Sequence, residues 1–182
     1  MNNKDMVRLS RPYNVMDVAN YVVQHFIEKN HPIPNLLLLK ILYYLQADSL
    51  RKDYVPLFNE AIEKWGYGPV VPEVYSNFKS YGAAPITSTM KYVLVNDDGS
   101  WKLINPAKRE LEKQDIVQIN ALADEIYNHF GQNPFLLVNK THKEPMWKKD
   151  ESKIRSGSLH ITYNNNEIKN YFKNQGNWPW EN

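Results

Sequence analysis

The chain has 182 residues, no cysteine, and 22 basic against 20 acidic side chains. This length predicts a single domain that buries a sizeable core without covalent cross-links. The lack of cysteine excludes disulfides and cysteine-ligated zinc or iron–sulfur centres. The balanced and well-mixed charge argues against nucleic-acid binding, for which basic side chains usually gather on one face.

The amino-terminal segment and the apolar runs predict a cytoplasmic protein without a membrane partner. The opening MNNKDMVRLS has no apolar core of a signal peptide. The longest apolar run, Leu36 to Leu39, is followed by Lys40 and is far too short to span a bilayer. The 5 tryptophans and 12 tyrosines favour a protein–protein surface, because both residues are frequent interface anchors.

Two helices are predicted in the first third of the chain. Asn14 has the position of an N-cap, and the helix it opens should end near Asn30 because two prolines follow. A second helix begins at Pro34 and is apolar nearly all round, which is typical of a central, buried helix. Its polar residues are interpreted as a solvated edge toward an exposed end, with ordinary ion pairs from Asp48 to Arg51 or Lys52. These polar residues are Lys40, Gln46, Asp48 and Arg51.

The middle of the chain changes character. The segment from Pro56 to Glu63 fits a strand or a short helix equally well. Pro72 predicts the first turn of a short helix that Gly82 ends. Residues 90–104 place β-branched and aromatic residues around an Asp-Gly turn, which predicts a β-hairpin packed on the helices.

The remaining segments are predicted to be mostly helical. A short charged helix should follow Asn105 and Pro106, then a longer helix ending at Gly131. Further helices are expected over 135–141 and 166–173, with a polar loop over 144–158 and a loosely held carboxyl-terminal tail. The predicted fold is mainly α with a small β-hairpin (α+β), a single compact helical domain over 13–173. Residues 1–12 form an extension and 174–182 the tail.

The segment from Trp65 to Tyr75 is a candidate partner-binding turn. Two glycines allow unusual backbone angles, and Pro69 and Pro72 stiffen the chain on both sides of two valines. A stiff turn that presents Trp65 and Tyr67 suits binding, because little conformational entropy is lost when a partner arrives. An equally weighted interpretation is that the turn only locks the packing of the helices. Its glycine spacing matches no phosphate-binding fingerprint.

A second candidate is the segment from Thr141 to Trp147. His142 and Glu144 could act as an acid–base pair or as metal ligands, which would make the protein an uncharacterised metal-dependent hydrolase. No third ligand stands at a useful spacing, so local hydrogen bonding by His142 and anchoring by Trp147 is the favoured interpretation. No catalytic residue, metal or cofactor is therefore predicted.

Three segments together resemble the Panacea domain of SocA-like antitoxins, which also occurs in phage-associated proteins. The residues Lys40, Leu42, Tyr43, Tyr44 and Gln46 match its K-x-L-Y-Y-x-Q helix, and Pro56 to Phe58 match its P-L-F. Trp65, Gly68, Pro69 and Val70 match its W-x-x-G-P-V turn, and His142, Glu144 and Trp147 match its H-x-E-x-x-W element.

The resemblance implies an antitoxin that binds and silences a cognate protein toxin and has no enzymatic activity. An alternative implied by some relatives is a proteolytic adaptor that delivers the toxin to an ATP-dependent protease. The candidate partner-binding residues are Tyr44, Trp65, Tyr67, Pro69, His142 and Trp147. Neither the toxin nor the oligomeric state follows from the residues.

Overall fold

The computed structural model describes residues 7–95, 97–105 and 109–181. Within these residues the chain forms eight α-helices, three pairs of short strands and two turns of 3-10 helix. In chain order the elements are β1 (Val7–Arg8), α1 (Val15–Glu28), α2 (Asn35–Asp53), β2 (Glu63–Trp65), β3 (Gly68–Val70), α3 (Pro72–Phe78), β4 (Tyr92–Val95), β5 (Trp101–Ile104), β6 (Arg109–Glu110), α4 (Lys113–Phe130), α5 (Phe135–Lys143), α6 (Pro145–Lys148), α7 (Glu151–Arg155) and α8 (Asn165–Phe172). The predicted α-dominated fold class is confirmed.

Helix α2 is the centre of the fold, as its all-round apolar sequence predicts. It contacts α1, α3, α4, α8 and β3, and its residues from Leu37 to Leu50 are all buried. The helix ends at Tyr54, which adopts the left-handed conformation. A helix surrounded on every side has no solvated face, so its polar residues must find partners inside the protein.

This burial corrects the interpretation of the polar residues of α2 as a solvated edge. Lys40, Gln46 and Asp48 are all buried. Only the predicted ion pairs hold, since Arg51 and Lys52 each lie 2.8 Å from an Asp48 carboxylate oxygen. The prediction failed for Lys40 and Gln46 because the partners that make their burial tolerable come from distant parts of the chain.

Helix α1 and the β4–β5 hairpin form as predicted. The Asn14 side chain accepts a hydrogen bond from Met16 N at 2.9 Å and caps α1. Tyr92 Oη donates to Asp17 Oδ1 at 2.7 Å, and Asn20 Nδ2 donates to Met90 O at 3.0 Å. These contacts attach the hairpin to α1. Its outward face exposes four apolar side chains, those of Val93, Val95, Trp101 and Leu103.

Several other predictions about the later segments are wrong. The chain after Asn105 was expected to be helical; residues 106–108 lie outside the described residues, and 109–110 form a strand parallel to β1. The predicted loop over 144–158 contains α6 and α7, which hold Trp147 and Ile154 in the core. The tail is not loosely held, because Trp178 is buried against Phe172 with ring centroids 4.8 Å apart.

The longer helices of the second half agree with their sequence patterns. Helix α4 ends just before Gly131, α5 begins just after Pro134, and α8 covers most of the range predicted for the last helix. The ambiguous segment before β2 is neither a regular helix nor a long strand. It is held by side-chain hydrogen bonds from α2, described below.

A buried motif cluster beneath an exposed aromatic surface

Residues from three separate segments meet at the centre of the protein. Helix α2 supplies Lys40, Tyr43 and Tyr44. Gly68 comes from the β2–β3 turn, and Glu144 is the single residue between α5 and α6. We call these five residues the motif cluster. All five are buried, and no local pattern in the sequence indicates that they meet.

Lys40 holds the turn between β2 and β3 from below. Its Nζ donates to the carbonyl oxygen of Tyr67 and, at 3.3 Å, to that of Pro69. The intervening Gly68 has a φ of +91°, and a Cβ atom there would lie 2.5 Å from Thr141 Oγ1 and 2.8 Å from Lys40 Nζ. Only glycine satisfies both the backbone angle and the close approach at this position.

Glu144 accepts hydrogen bonds from two tyrosines of α2. Tyr43 Oη donates to Glu144 Oε2 at 2.5 Å, and Tyr44 Oη reaches Glu144 Oε1 at 3.5 Å. The rings of Tyr43 and Tyr44 are edge-to-face, with centroids 5.1 Å apart. A third tyrosine, Tyr163, packs on Tyr43 at 5.2 Å. The carboxyl group is therefore enclosed by aromatic rings, and its polar contacts come from phenol hydroxyls.

This enclosure disfavours charge on both ionisable groups. Burial raises the pKa of Glu144 to about 8, although the Tyr43 hydrogen bond and the Lys40 charge oppose the shift. Burial lowers the pKa of Lys40 to about 7, although attraction to Glu144 opposes it. Burial also raises the pKa of Tyr43 and Tyr44 well above their usual value. The two tyrosines therefore stay neutral hydrogen-bond donors at physiological pH.

Trp147 clamps the same turn from the side of α6. Its Nε1 donates to the carbonyl oxygen of Trp65 at 3.0 Å. His142 stacks on the Trp147 ring with centroids 3.8 Å apart, and burial lowers the pKa of His142. His142 Nε2 is buried without a partner among the described residues. The carbonyl oxygens of Trp65, Tyr67 and Pro69 thus all accept hydrogen bonds from buried side chains.

Gln46 performs a similar task for the segment before β2. Its Oε1 accepts from Leu57 N at 2.8 Å and from Phe58 N at 3.2 Å, and its Nε2 donates to Phe58 O at 3.0 Å. The amide side chain replaces the partners that a strand or helix would have provided. This explains why the segment from Pro56 to Glu63 needs no regular secondary structure.

The turn that these clamps hold carries an exposed aromatic surface. The ring of Tyr67, 64% exposed, contacts Phe135 edge-on at 5.9 Å. The half-buried ring of Trp65 contacts Tyr75 at 5.0 Å, and its Nε1 donates to Glu63 Oε2 at 2.7 Å. We call Trp65, Tyr67, Tyr75 and Phe135 the aromatic patch. Leu136, also exposed, follows Phe135 at the start of α5.

The six candidate partner-binding residues fall into two groups. Tyr67 is exposed, and Trp65 and His142 are half-buried. Tyr44, Pro69 and Trp147 are buried, so a partner that docks on this conformation does not reach their side chains. The sequence reasoning did not single out Phe135, which joins the patch only through the packing of α5 beside the turn.

Neither a metal site nor a His142–Glu144 pair is present among the described residues. Over 7–95, 97–105 and 109–181, no group of three or more His, Asp or Glu side chains could hold a metal ion. Glu144 faces the α2 tyrosines while His142 lies on Trp147, so the two do not form a pair. No helix in the described ranges is both long and apolar enough to cross a membrane.

The fold and the turn together define a mainly helical domain that carries an aromatic surface on a two-stranded turn. Residues 38–148 match the family described as "Antitoxin SocA-like, Panacea domain". This is more than half of the chain, and the chain belongs to this family. The matched range contains all five residues of the motif cluster and all four residues of the aromatic patch.

A curated relative is "Antitoxin SocA" of Caulobacter vibrioides (strain NA1000 / CB15N). It is 38% identical over 65 residues, which are 36% of this chain and 35% of the relative. The chain therefore spans about a third of the length of the relative it matches. No solved structure matches the chain. Family and relative together support an antitoxin role.

Proposed function

We propose that this protein is an antitoxin that neutralises a cognate protein toxin by binding it directly, and that the aromatic patch is the contact surface. One observation carries the proposal. The rings of Trp65 and Tyr67 each pack against a second ring at the surface, and the backbone carbonyl oxygens of the same turn accept hydrogen bonds from the buried side chains of Lys40 and Trp147. Tyrosine and tryptophan at the centre of an interface contribute much of the binding free energy.

The rigid support under the patch favours tight binding. A surface that is already ordered before the partner arrives loses little conformational entropy on association. Lys40, Trp147 and Gly68 fix the backbone, and Glu63 fixes the indole of Trp65. The buried motif residues therefore support binding by shaping the turn, while Tyr67 and Phe135 make the contact.

The hydrolase alternative gains no support from the geometry. A metal-dependent hydrolase typically binds its metal ion with about three protein ligands and leaves one coordination position open. Glu144 is enclosed by tyrosine rings and accepts its hydrogen bonds from Tyr43 and Tyr44, whereas His142 stacks on Trp147. The proteolytic adaptor gains no specific support either, and it is treated below as an outcome of the test.

The test uses the product of the reading frame adjacent to this gene as the candidate toxin. Wild-type protein should rescue growth when the two are co-expressed and should bind the purified toxin in calorimetry. Tyr67→Ala should weaken binding by about 2 kcal/mol, close to a 30-fold rise in Kd. Trp65→Ala should weaken it as well, but Trp65 also packs on Tyr75, so Tyr67 is the cleaner probe.

The matched control is Trp101→Ala, which removes an aromatic side chain of similar exposure from the β4–β5 hairpin. Unchanged affinity in folded Tyr67→Ala and Phe135→Ala variants would remove the aromatic patch as the contact. A toxin that binds but disappears faster in a pulse-chase would indicate delivery to a protease. No binding and no rescue by the wild type would contradict the antitoxin proposal.

A further inference from the structure

A distant part of the chain pairs with β2. Thr162 lies opposite Glu63 in an antiparallel bridge, and Tyr163 N donates to Ile62 O at 2.8 Å. Burial of the Tyr163 side chain anchors this stretch on the core. We call residues 160–163 the flanking segment. It lies along the outer edge of β2, since β3 occupies the other edge.

The flanking segment brings the His160 side chain to Glu63. His160 Nδ1 lies 2.9 Å from Glu63 Oε1, while Glu63 Oε2 accepts a hydrogen bond from Trp65 Nε1 at 2.7 Å. Each carboxylate oxygen therefore has its own partner, and one of these partners belongs to the aromatic patch. Among the residues that the structure describes, His160 is the one basic side chain paired with Glu63.

Both His160 and Glu63 are held in a particular state by these contacts. His160 has a φ of +58°, a left-handed conformation that is uncommon outside glycine and costs free energy unless contacts compensate for it. Glu63 is only 9% exposed, and burial by itself raises its pKa, but the hydrogen bonds from Trp65 and His160 lower the pKa below its ordinary value. The Glu63 carboxylate therefore stays charged and is a strong acceptor for the indole N–H.

The Trp65 indole needs a directional contact to keep one orientation, because it is only half-buried and its aromatic neighbour Tyr75 is itself exposed. A side chain that is fixed before association does not lose that conformational entropy on binding. We propose that Glu63 and His160 are positioning residues for toxin binding, which hold the Trp65 indole in the orientation that the toxin meets. This proposal rests on the proposed function, because it takes Trp65 to be part of the toxin contact.

Nitrogen-15 relaxation of the indole N–H groups tests the positioning in the free protein, and Trp65→Phe assigns the Trp65 signal. We expect a Trp65 order parameter near the rigid value of about 0.85 in the wild type and in Glu63→Gln, which keeps an oxygen acceptor. In Glu63→Leu it should fall below about 0.6. Trp147 is the internal control, because its Nε1 donates to the Trp65 carbonyl oxygen and should stay rigid while the turn is folded. A Trp65 indole that is equally rigid in Glu63→Leu would overturn the proposal.

His160→Ala makes the same test at an exposed position, and it decides the matter if Glu63→Leu loosens Trp147 as well. The His160 side chain is 81% exposed, so its removal should leave the domain folded. The Trp65 order parameter should fall, and the Kd for the toxin should rise about threefold. Asn30→Ala is the matched control, because Asn30 is also exposed and left-handed, with a φ of +59°, and should leave both values unchanged. If His160→Ala also leaves both unchanged, the role assigned to His160 is wrong.

A double-mutant cycle shows whether Glu63 acts through Trp65, with the product of the adjacent reading frame as the toxin. Glu63→Leu alone should raise the Kd about tenfold, but it should add less than about a twofold change in the Trp65→Ala background. An equal effect in both backgrounds would mean that Glu63 touches the toxin itself, which contradicts a positioning role. If the wild type binds no toxin, the proposed function fails, whereas the relaxation measurement still decides whether Glu63 and His160 hold the indole.

Discussion

The motif cluster and the aromatic patch lie on the two sides of the β2–β3 turn, but they differ in their exposure to solvent. The cluster is sealed from solvent, so its side chains act by fixing the backbone of the turn. In the patch Tyr67, Tyr75 and Phe135 are exposed and Trp65 is half-buried, so a partner can reach the patch. The residues of the family motif therefore mainly fix the backbone of the turn. Trp65 is the one residue that belongs to both the motif and the patch.

This difference predicts that substitutions in the cluster change stability, whereas those in the patch change binding. The predictions below run from the largest expected effect to the smallest. A cluster substitution that changes only binding, or a patch substitution that changes mainly stability, would contradict this difference.

The largest effect is expected from Gly68→Ala. The new Cβ would lie 2.5 Å from Thr141 Oγ1 at a φ of +91°, so strain and overpacking act together. We expect a loss of about 3–5 kcal/mol in the free energy of unfolding, measured by urea denaturation. Gly157→Ala is the matched control, because its φ is +88° but nothing lies within 4 Å of its Cβ position. It should lose only about 1–2 kcal/mol.

A somewhat smaller loss is expected from Gln46→Leu. The substitution keeps the side-chain volume but leaves Leu57 N, Phe58 N and Phe58 O without their partner. Unpaired buried backbone groups should lower the melting temperature and the free energy of unfolding by about 2–4 kcal/mol. The same change at the exposed Gln132 should have little effect. Equal stability of both variants would show that the segment before β2 does not depend on Gln46.

The third prediction concerns pH and Glu144→Gln. Burial raises the pKa of Glu144 to about 8 in the folded protein, from 4.5. The folded state thus keeps a proton that the unfolded state releases as pH rises above 4.5, and the stability linked to Glu144 falls with rising pH. The stability of the wild type relative to the variant should therefore fall by up to about 1.4 kcal/mol per pH unit.

Denaturation at roughly pH 5, 6 and 7 measures this slope. Lys40 contributes in the opposite sense, because burial lowers its pKa to about 7 and its effect begins only near that pH. Glu125→Gln, on the exposed side of α4, reports what a surface carboxylate contributes. A difference between wild type and Glu144→Gln that does not vary over this range would mean that Glu144 is ionised in the folded protein.

The smallest effect on stability is expected from Tyr67→Ala. The ring is largely exposed, and its aromatic contact is with the exposed Phe135, so the free energy of unfolding should change by less than about 0.5 kcal/mol. The same variant should lose most of its affinity for the toxin. A large loss of stability would place Tyr67 with the cluster and would weaken the division between scaffold and contact surface.

Local patterns were sufficient for most of the helices and for the hairpin. Asn14 caps α1, Pro34 precedes α2, and the Asp-Gly turn separates β4 from β5, because capping and turn formation depend on neighbouring residues. The same reasoning failed for α6, α7 and the tail. These segments are short or polar and are ordered by burying Trp147, Ile154 and Trp178 against distant residues.

What the sequence determined by itself is the set of long helices, the all-round burial of α2 and, through its motifs, the family. The tertiary structure alone decided which motif residues touch solvent. Lys40 looked like a solvated charge and is buried beneath the turn, whereas Tyr67 is exposed beside Phe135. The reason is physical: a buried charge is tolerated only with its partners in place, and those partners are supplied by residues far along the chain.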